Sequence, residues 1–309
     1  MRNENRDKKI KFYKRSQIDV AKWDSLIRKS PTRLIYFESW YLDSMTDSQW
    51  NALIYGDYEF VMPLPFRRKY FIQYIYQPYI TQRLGINGKD SCPPEIVFEF
   101  LRSIPRKYLI VHLNGAFQTE INRNYAVVQR DNQILRLIKG YDNIVAGYNR
   151  NTRRNIQAAK EFELRIEYDL GVEQFLEFQC KWEPQEFTKP NSYNVKTLIH
   201  NAENNSQLLI VGVYDNSELI STGLFIIDTQ RVYFLLCSSS NVGKDKRAMF
   251  LLIDRVIEMY AGEDKIFDFT GSSMKSISQR NLGFGAETEH YSFVSRKGLI
   301  QQLIKQLNL

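Results

Sequence analysis

The sequence predicts a mixed α/β protein of α+β character, in two domains that each carry a mostly antiparallel sheet flanked by helices. Three observations lead there. The length of 309 residues corresponds to about two domains at roughly 150 residues each. Segments in which apolar side chains alternate every second residue are interleaved with segments of helical periodicity. In each half, consecutive strand-like segments joined by short turn sequences read as an antiparallel meander, followed by an apolar helix and a further strand. Hydrophobic residues make up 43% and charged residues 25% of the chain, proportions that exclude global disorder.

In the first half, Ile10 to Tyr13 reads as a short strand and Ile18 to Ile27 as a helix with Val20, Trp23 and Ile27 inward. Phe37 to Met45 suggests a second helix. Three strands follow, Trp50 to Tyr55, Tyr58 to Leu64 and Tyr70 to Tyr76, with Gly56-Asp57 as the first turn and Arg67-Arg68-Lys69 as the second. Pro93-Pro94 introduce an apolar helix from Glu95 to Ile104, and Tyr108 to Leu113 is a buried strand.

The second half repeats this order without obvious residue identity, which sets the domain boundary at 1–140 and 141–309. Asp142 to Glu161 reads as one long helix, Leu164 to Tyr168 as a strand, and Val172 to Cys180 and Val195 to Glu203 as helical. A meander of Gln207 to Tyr214, Glu218 to Asp228 and Arg231 to Ser238 turns at Asp215-Asn216-Ser217 and Thr229-Gln230. Ala248 to Ala261 is apolar nearly all round and belongs buried against that sheet. Strand Lys265 to Phe269, helix Ser272 to Leu282 and strand Glu287 to Ser295 complete the half.

Several function classes fall away on composition. No apolar run approaches the ~18 residues a membrane helix needs. The N-terminus is charged throughout and lacks the apolar stretch of a secretory signal, so a cytoplasmic protein is expected. Cys92, Cys180 and Cys237, with His112, His200 and His290, have neither disulfide-framework nor zinc spacing, so no metal is expected. The net charge of +7 is uneven: residues 1–140 carry 23 Lys and Arg against 14 Asp and Glu, whereas residues 141–309 carry 19 against 21. The first domain is thus the basic one, suited either to a phosphate-bearing acceptor or to a plain solvated surface.

Three stretches carry a resemblance to a known family: FESWYLDSM with the later QPYITQRLGI, then GYNRNTRRNIQAAK, then FDFTGSSMKSISQRNLGFGAETEHY. With the element order, they make the second half resemble the GNAT N-acetyltransferase fold. The tandem arrangement is similar to the Fem-type (FemAB-like) peptidyltransferases and related bacterial acyltransferases. The resemblance implies transfer of an acyl or aminoacyl group to an amine, with the second domain binding the donor and the first facing the acceptor.

The family places the donor's pyrophosphate at the N-terminus of the helix after the meander, where unpaired amides and the helix dipole meet an anion. The corresponding residues here are Val242, Gly243, Lys244, Lys246, Arg247 and Ala248. Lys246 stands where the family has Gly, which is compatible with side-chain capture of the phosphates or with a donor lacking that pyrophosphate. The same residues also suit an ordinary exposed basic loop. Arg150, Arg153 and Arg154 fall on one helix side, where they clamp phosphates or simply face solvent. Tyr79 and Gln82 match the family segment near the acceptor pocket.

Acyl transfer needs a base for the attacking ammonium and an acid for the leaving group. The Tyr that many GNAT enzymes use as acid has Gln279 at its expected place; nearby substitutes are Tyr291, Asp268 and Lys275, with Tyr233 on the meander, Asp268 being equally suited to hold the turn after its strand. The expected co-substrate is acetyl-CoA or another acyl-CoA, with aminoacyl-tRNA in a Fem-like cell-wall reaction as the alternative. A non-catalytic GNAT-fold scaffold and a nucleic-acid-binding protein are rival readings, the latter lacking any recognisable reading motif.

Overall fold

The computed structural model describes residues 9–117, 124–205, 207–271 and 274–297. Strand β1 (Ile10–Lys14) leads to helix α1 (Val20–Lys29), which starts two residues later than its periodicity suggests because the Asp19 carboxylate caps it, accepting from the Lys22 amide at 3.1 Å. On α1, buried Asp24 accepts from both the amide and the hydroxyl of Ser39 and so anchors the start of α2 (Ser39–Thr46). Trp23 and Trp50 meet at 5.0 Å between ring centroids beneath these helices.

Strands β2 (Trp50–Tyr55), β3 (Phe60–Lys69) and β4 (Ile72–Ile75) form the first meander. Arg67-Arg68-Lys69, expected as a turn, instead extend β3 and pair with Tyr74, Gln73 and Ile72. The reversal is displaced to Tyr70-Phe71, where Tyr70 takes φ +54°. After the two-residue β5 (Asn87–Gly88), helix α3 (Pro94–Ser103) returns the chain to β6 (Tyr108–Gly115), which runs parallel to β4. Phe100, Leu101 and Ile104 pack into one core with Leu53, Met62, Leu64, Ile75 and Val111.

Strand β7 (Tyr125–Arg136) has no counterpart in the sequence reading, because its middle, Gln129 to Gln133, is polar. Asn132 and Gln133 are nonetheless buried. The long helix expected from Asp142 to Glu161 is two helices, α4 (Tyr141–Ala146) and α5 (Arg150–Lys160). Asn149 breaks it: its side chain accepts from the Thr152 amide at 2.8 Å as a cap, and its own amide donates to the Gly283 carbonyl at 2.9 Å.

Strand β8 (Arg165–Glu167) and helices α6 (Val172–Trp182) and α7 (Lys189–Asn205) precede the second meander, β9 (Gln207–Asp215), β10 (Glu218–Ile227) and β11 (Arg231–Ser239). Then come α8 (Asn241–Asp245), α9 (Ala248–Tyr260), β12 (Ile266–Asp268), α10 (Lys275–Gly283) and β13 (Glu287–Arg296). The start expected for the last helix at Ser272 lies outside the described residues. As its composition requires, α9 is buried, with Leu252, Ile253, Val256 and Ile257 at 0% exposure among β-sheet residues Val211, Val213, Phe225 and Phe234.

The chain divides into two compact units, residues 1–130 with 291–309, and residues 131–290. The first unit has strand order β1-β2-β3-β4-β6-β13 and the second β7-β12-β11-β10-β9-β8. The divisions fall inside β7 and inside β13, so each of these strands gives residues to both units, which a single cut at 140 does not describe.

Candidate functional site

In the second unit, β11 and β12 pair in parallel only from Arg231–Ile266 to Tyr233–Asp268. β12 ends at Asp268 and is followed by Thr270 and Gly271, both at positive φ. The Thr270 hydroxyl donates to the Phe234 carbonyl at 2.8 Å, the last tie between the two segments that is resolved here. From Leu235 to Ser239 the edge of β11 away from β10 has no strand partner among the described residues. An unpaired strand edge presents backbone donors and acceptors to whatever lies beside it.

The turn at the end of β12 is held by Asp268, a fully buried carboxylate. One oxygen accepts from Arg231 Nη1 at 2.8 Å; the other accepts from Asn132 Nδ2 and the Thr270 amide, both at 2.9 Å. Burial works against the Arg231 charge, but Asp268, Tyr233 and Glu289 outweigh it and raise the guanidinium above its ordinary pKa. With both oxygens occupied, this carboxylate is placed as an anchor, the second of its two expected roles. Tyr233 is also fully buried, its hydroxyl 3.4 Å from Asp228. Neither group opens to solvent.

The loop that leads to α9 is largely satisfied from within. The Ser240 hydroxyl accepts from the Gly243 amide at 3.0 Å, and the amides of Lys244, Lys246 and Arg247 donate to the carbonyls of Ser240, Val242 and Lys244. Gly243 serves packing: a Cβ there would lie 2.1 Å from the Ile220 carbonyl oxygen of β10. Lys246 is ion-paired with Asp215 and lies 5.1 Å from the Phe162 ring centroid. The sequence assigns Gly243 and Lys246 to a ligand, whereas the structure uses both within the fold. Left facing outward are Val242, Lys244 and Arg247, the last at φ +60° and providing no side-chain cap to α9. Consequently the amides of Ala248 and Met249 have no acceptor among the described residues.

Arg150, Arg153 and Arg154 are all exposed on the first turns of α5, and among the described residues none pairs with a carboxylate. Arg153 and Arg154 make only local bonds, to the Ala146 carbonyl and the Asn151 side chain. Tyr79, Gln82 and Tyr291 belong to the first unit. Gln82 is buried in a loop whose backbone is tied to β6: Asn114 Nδ2 donates to the Gln82 carbonyl at 2.9 Å, and the Leu84 amide to the Asn114 carbonyl at 2.7 Å. Tyr291 is half-buried on β13 beside buried Ser292.

Sequence reasoning missed Arg231, Asn132 and Thr270, which set the divergence of β11 and β12. It also missed Cys237, half-buried on the free part of β11, with its thiol pushed up by burial against the opposing charge of Arg280. Only the pairing of strands distant in sequence brings these groups together. Among the described residues no group of His, Cys, Asp or Glu is arranged to hold a metal ion.

No family model matches the sequence, and no curated protein matches it. Solved structures do. FemX is similar over 94% of this chain and 99% of its own, with a TM-score of 0.63 at 13% identity. A conserved protein of unknown function from Bacteroides thetaiotaomicron gives a TM-score of 0.61 at 11% identity, covering 94% of this chain and 100% of its own. The C-terminal DUF2156 domain of a putative lysylphosphatidylglycerol synthetase from Agrobacterium fabrum gives 0.52 at 10%, covering 93% and 95%. In the second unit the meander β9–β11 is followed by α8, the buried helix α9, β12 and α10. The chain therefore shares the fold of FemX and of this DUF2156 domain, the Fem-type arrangement that its three sequence stretches resemble.

Proposed function

We propose that this protein transfers an acyl group to an amine, taking it from a donor whose activated carbonyl enters the opening between β11 and β12. The observation that carries this reading is the edge of β11 from Leu235 to Ser239, which has no strand partner among the described residues, followed after α8 by the amides of Ala248 and Met249, which have no acceptor among them. Such an edge supplies backbone hydrogen bonds to an extended donor arm, and the helix start supplies a positive end for an anion. Asp268 and Arg231 act as positioning residues that keep the strands apart.

Within that class the geometry favours an aminoacyl-tRNA donor. A CoA pyrophosphate draws on several successive loop amides, and here those of Gly243, Lys244, Lys246 and Arg247 are used by the loop itself. The exposed arginines of α5 offer further phosphate contacts of the kind a polynucleotide makes. Acyl-CoA is the second reading, favoured by the two free amides flanked by Lys244 and Arg247.

The test compares binding of a CoA ester and of a non-hydrolysable aminoacyl-tRNA analogue to the wild type, to Lys244→Glu/Arg247→Glu and to Arg153→Gln/Arg154→Gln. All four altered positions are exposed, so folding is preserved in the variants. A tRNA donor loses about tenfold or more in affinity in both variants, with a steep salt dependence. A CoA donor loses affinity only in the first. Failure of both donors to bind the wild type refutes the transferase reading.

A further inference from the structure

At the end of β3 the first unit presents an arrangement the transferase reading does not use. Phe71 is 91% exposed and Tyr70 74% exposed, at the tip of the β3–β4 hairpin. Adjacent exposed apolar rings rimmed by polar residues mark a protein or membrane interaction site. The preceding residues are Arg67, Arg68 and Lys69. Arg67 stacks 4.3 Å from the Tyr76 ring centroid and Arg68 Nε donates to the Tyr70 carbonyl at 3.1 Å, so both support the tip, while Lys69 is exposed.

Topology brings more cations to the same end of the sheet. Because β6 runs parallel to β4, the residues entering β6, exposed Arg106 and Lys107, stand at the end where β4 leaves the tip. Because β13 runs antiparallel to β6, exposed Lys297 follows it out at that end. The three converging stretches, residues 66–76, 102–115 and 291–297, contain no Asp or Glu. Among the described residues none of Lys69, Arg106, Lys107 or Lys297 makes an ion pair, in contrast to Arg15 and Arg33 elsewhere in the unit, which pair with Asp43 and Glu38.

We propose that this end of the first unit docks on an anionic lipid bilayer, with Phe71 and Tyr70 entering the interface and the surrounding cations resting on the headgroups. Stable peripheral attachment needs two signals together, an apolar insertion and a basic patch, and both are present within a few residues. Tyrosine suits the interfacial depth because its ring is apolar and its hydroxyl wet. A single-stranded nucleic acid is a poorer fit, since base-stacking aromatics lie in a groove or on a sheet face, whereas these rings stand out from a hairpin tip.

The experiment is co-sedimentation of the full chain with phosphatidylcholine vesicles, with and without phosphatidylglycerol. The wild type sediments with the phosphatidylglycerol vesicles and not with pure phosphatidylcholine. Replacing both rings, Tyr70→Ser/Phe71→Ser, lowers vesicle affinity about tenfold or more at unchanged charge, and Lys69→Glu/Arg106→Glu removes it. Inorganic phosphate does not compete at matched ionic strength. All four substituted side chains are exposed, and thermal unfolding of the variants verifies the fold. The proposal is overturned by absence of binding to phosphatidylglycerol vesicles, by binding that the Ser variant leaves unchanged, or by tighter binding to random-sequence RNA that the same substitutions abolish.

Discussion

Asp268 shows how one side chain decides what a site can do. A strand-end carboxylate beside a Gly turn has two chemical uses, taking a proton or holding the turn, and sequence leaves both open. Inside the fold, Arg231, Asn132 and the Thr270 amide all donate to it, an arrangement that suits the second. A buried ion pair contributes little net stability, yet removing one partner strands the other charge without water. Arg231→Met therefore destabilises the second unit by about 3–5 kcal/mol in urea unfolding, whereas a loss below about 1 kcal/mol contradicts the anchor role. Lys246 makes the same point: its charge was legible in the sequence, and its pairing with Asp215, on a distant strand end, was not.

At the scale of elements, α9 sets the position of the opening, and α9 is itself fixed by a buried carboxylate. Asp254 on this helix is fully buried, and the Tyr141 hydroxyl of α4 donates to its carboxylate at 2.9 Å. Burial drives the Asp254 pKa above its ordinary value, against the opposing effects of the Tyr141 bond and Lys160. Between the ordinary and the raised value the folded state binds more protons than the unfolded one, so stability falls as pH rises through that window and is flat above it. Asp254→Asn lacks this titration. The difference in unfolding free energy between wild type and Asp254→Asn thus moves in the variant's favour as pH rises from about 4 toward neutrality; a difference independent of pH contradicts the buried-charge account.

Elements with strong periodicity, such as β2, the second meander and α9, were legible because each local pattern agrees with its burial in the fold. Those missed owe their form to partners far along the chain. Strand β7 is polar through its centre because Asn132 bonds to Asp268 and Gln133 accepts from Asn281. The break between α4 and α5 depends on Asn149, whose amide bonds to Gly283 in a segment more than a hundred residues later.

For the whole molecule, charge and fold divide the work. The excess of basic residues lies in residues 1–140, and the structure gathers part of it at one sheet end around Phe71. The second unit instead contributes a strand edge without a strand partner among the described residues and a helix start without a side-chain cap. The likeness to FemX covers 94% of this chain, so the shared fold extends over both units. Because the central claim concerns backbone groups, backbone hydrogen exchange tests it most directly. In the presence of a bound aminoacyl-tRNA analogue or CoA ester, amides on the free edge of β11 between Leu235 and Ser239, together with those of Ala248 and Met249, exchange more slowly than in the protein alone. A donor that binds while leaving exchange at both segments unchanged contradicts the account.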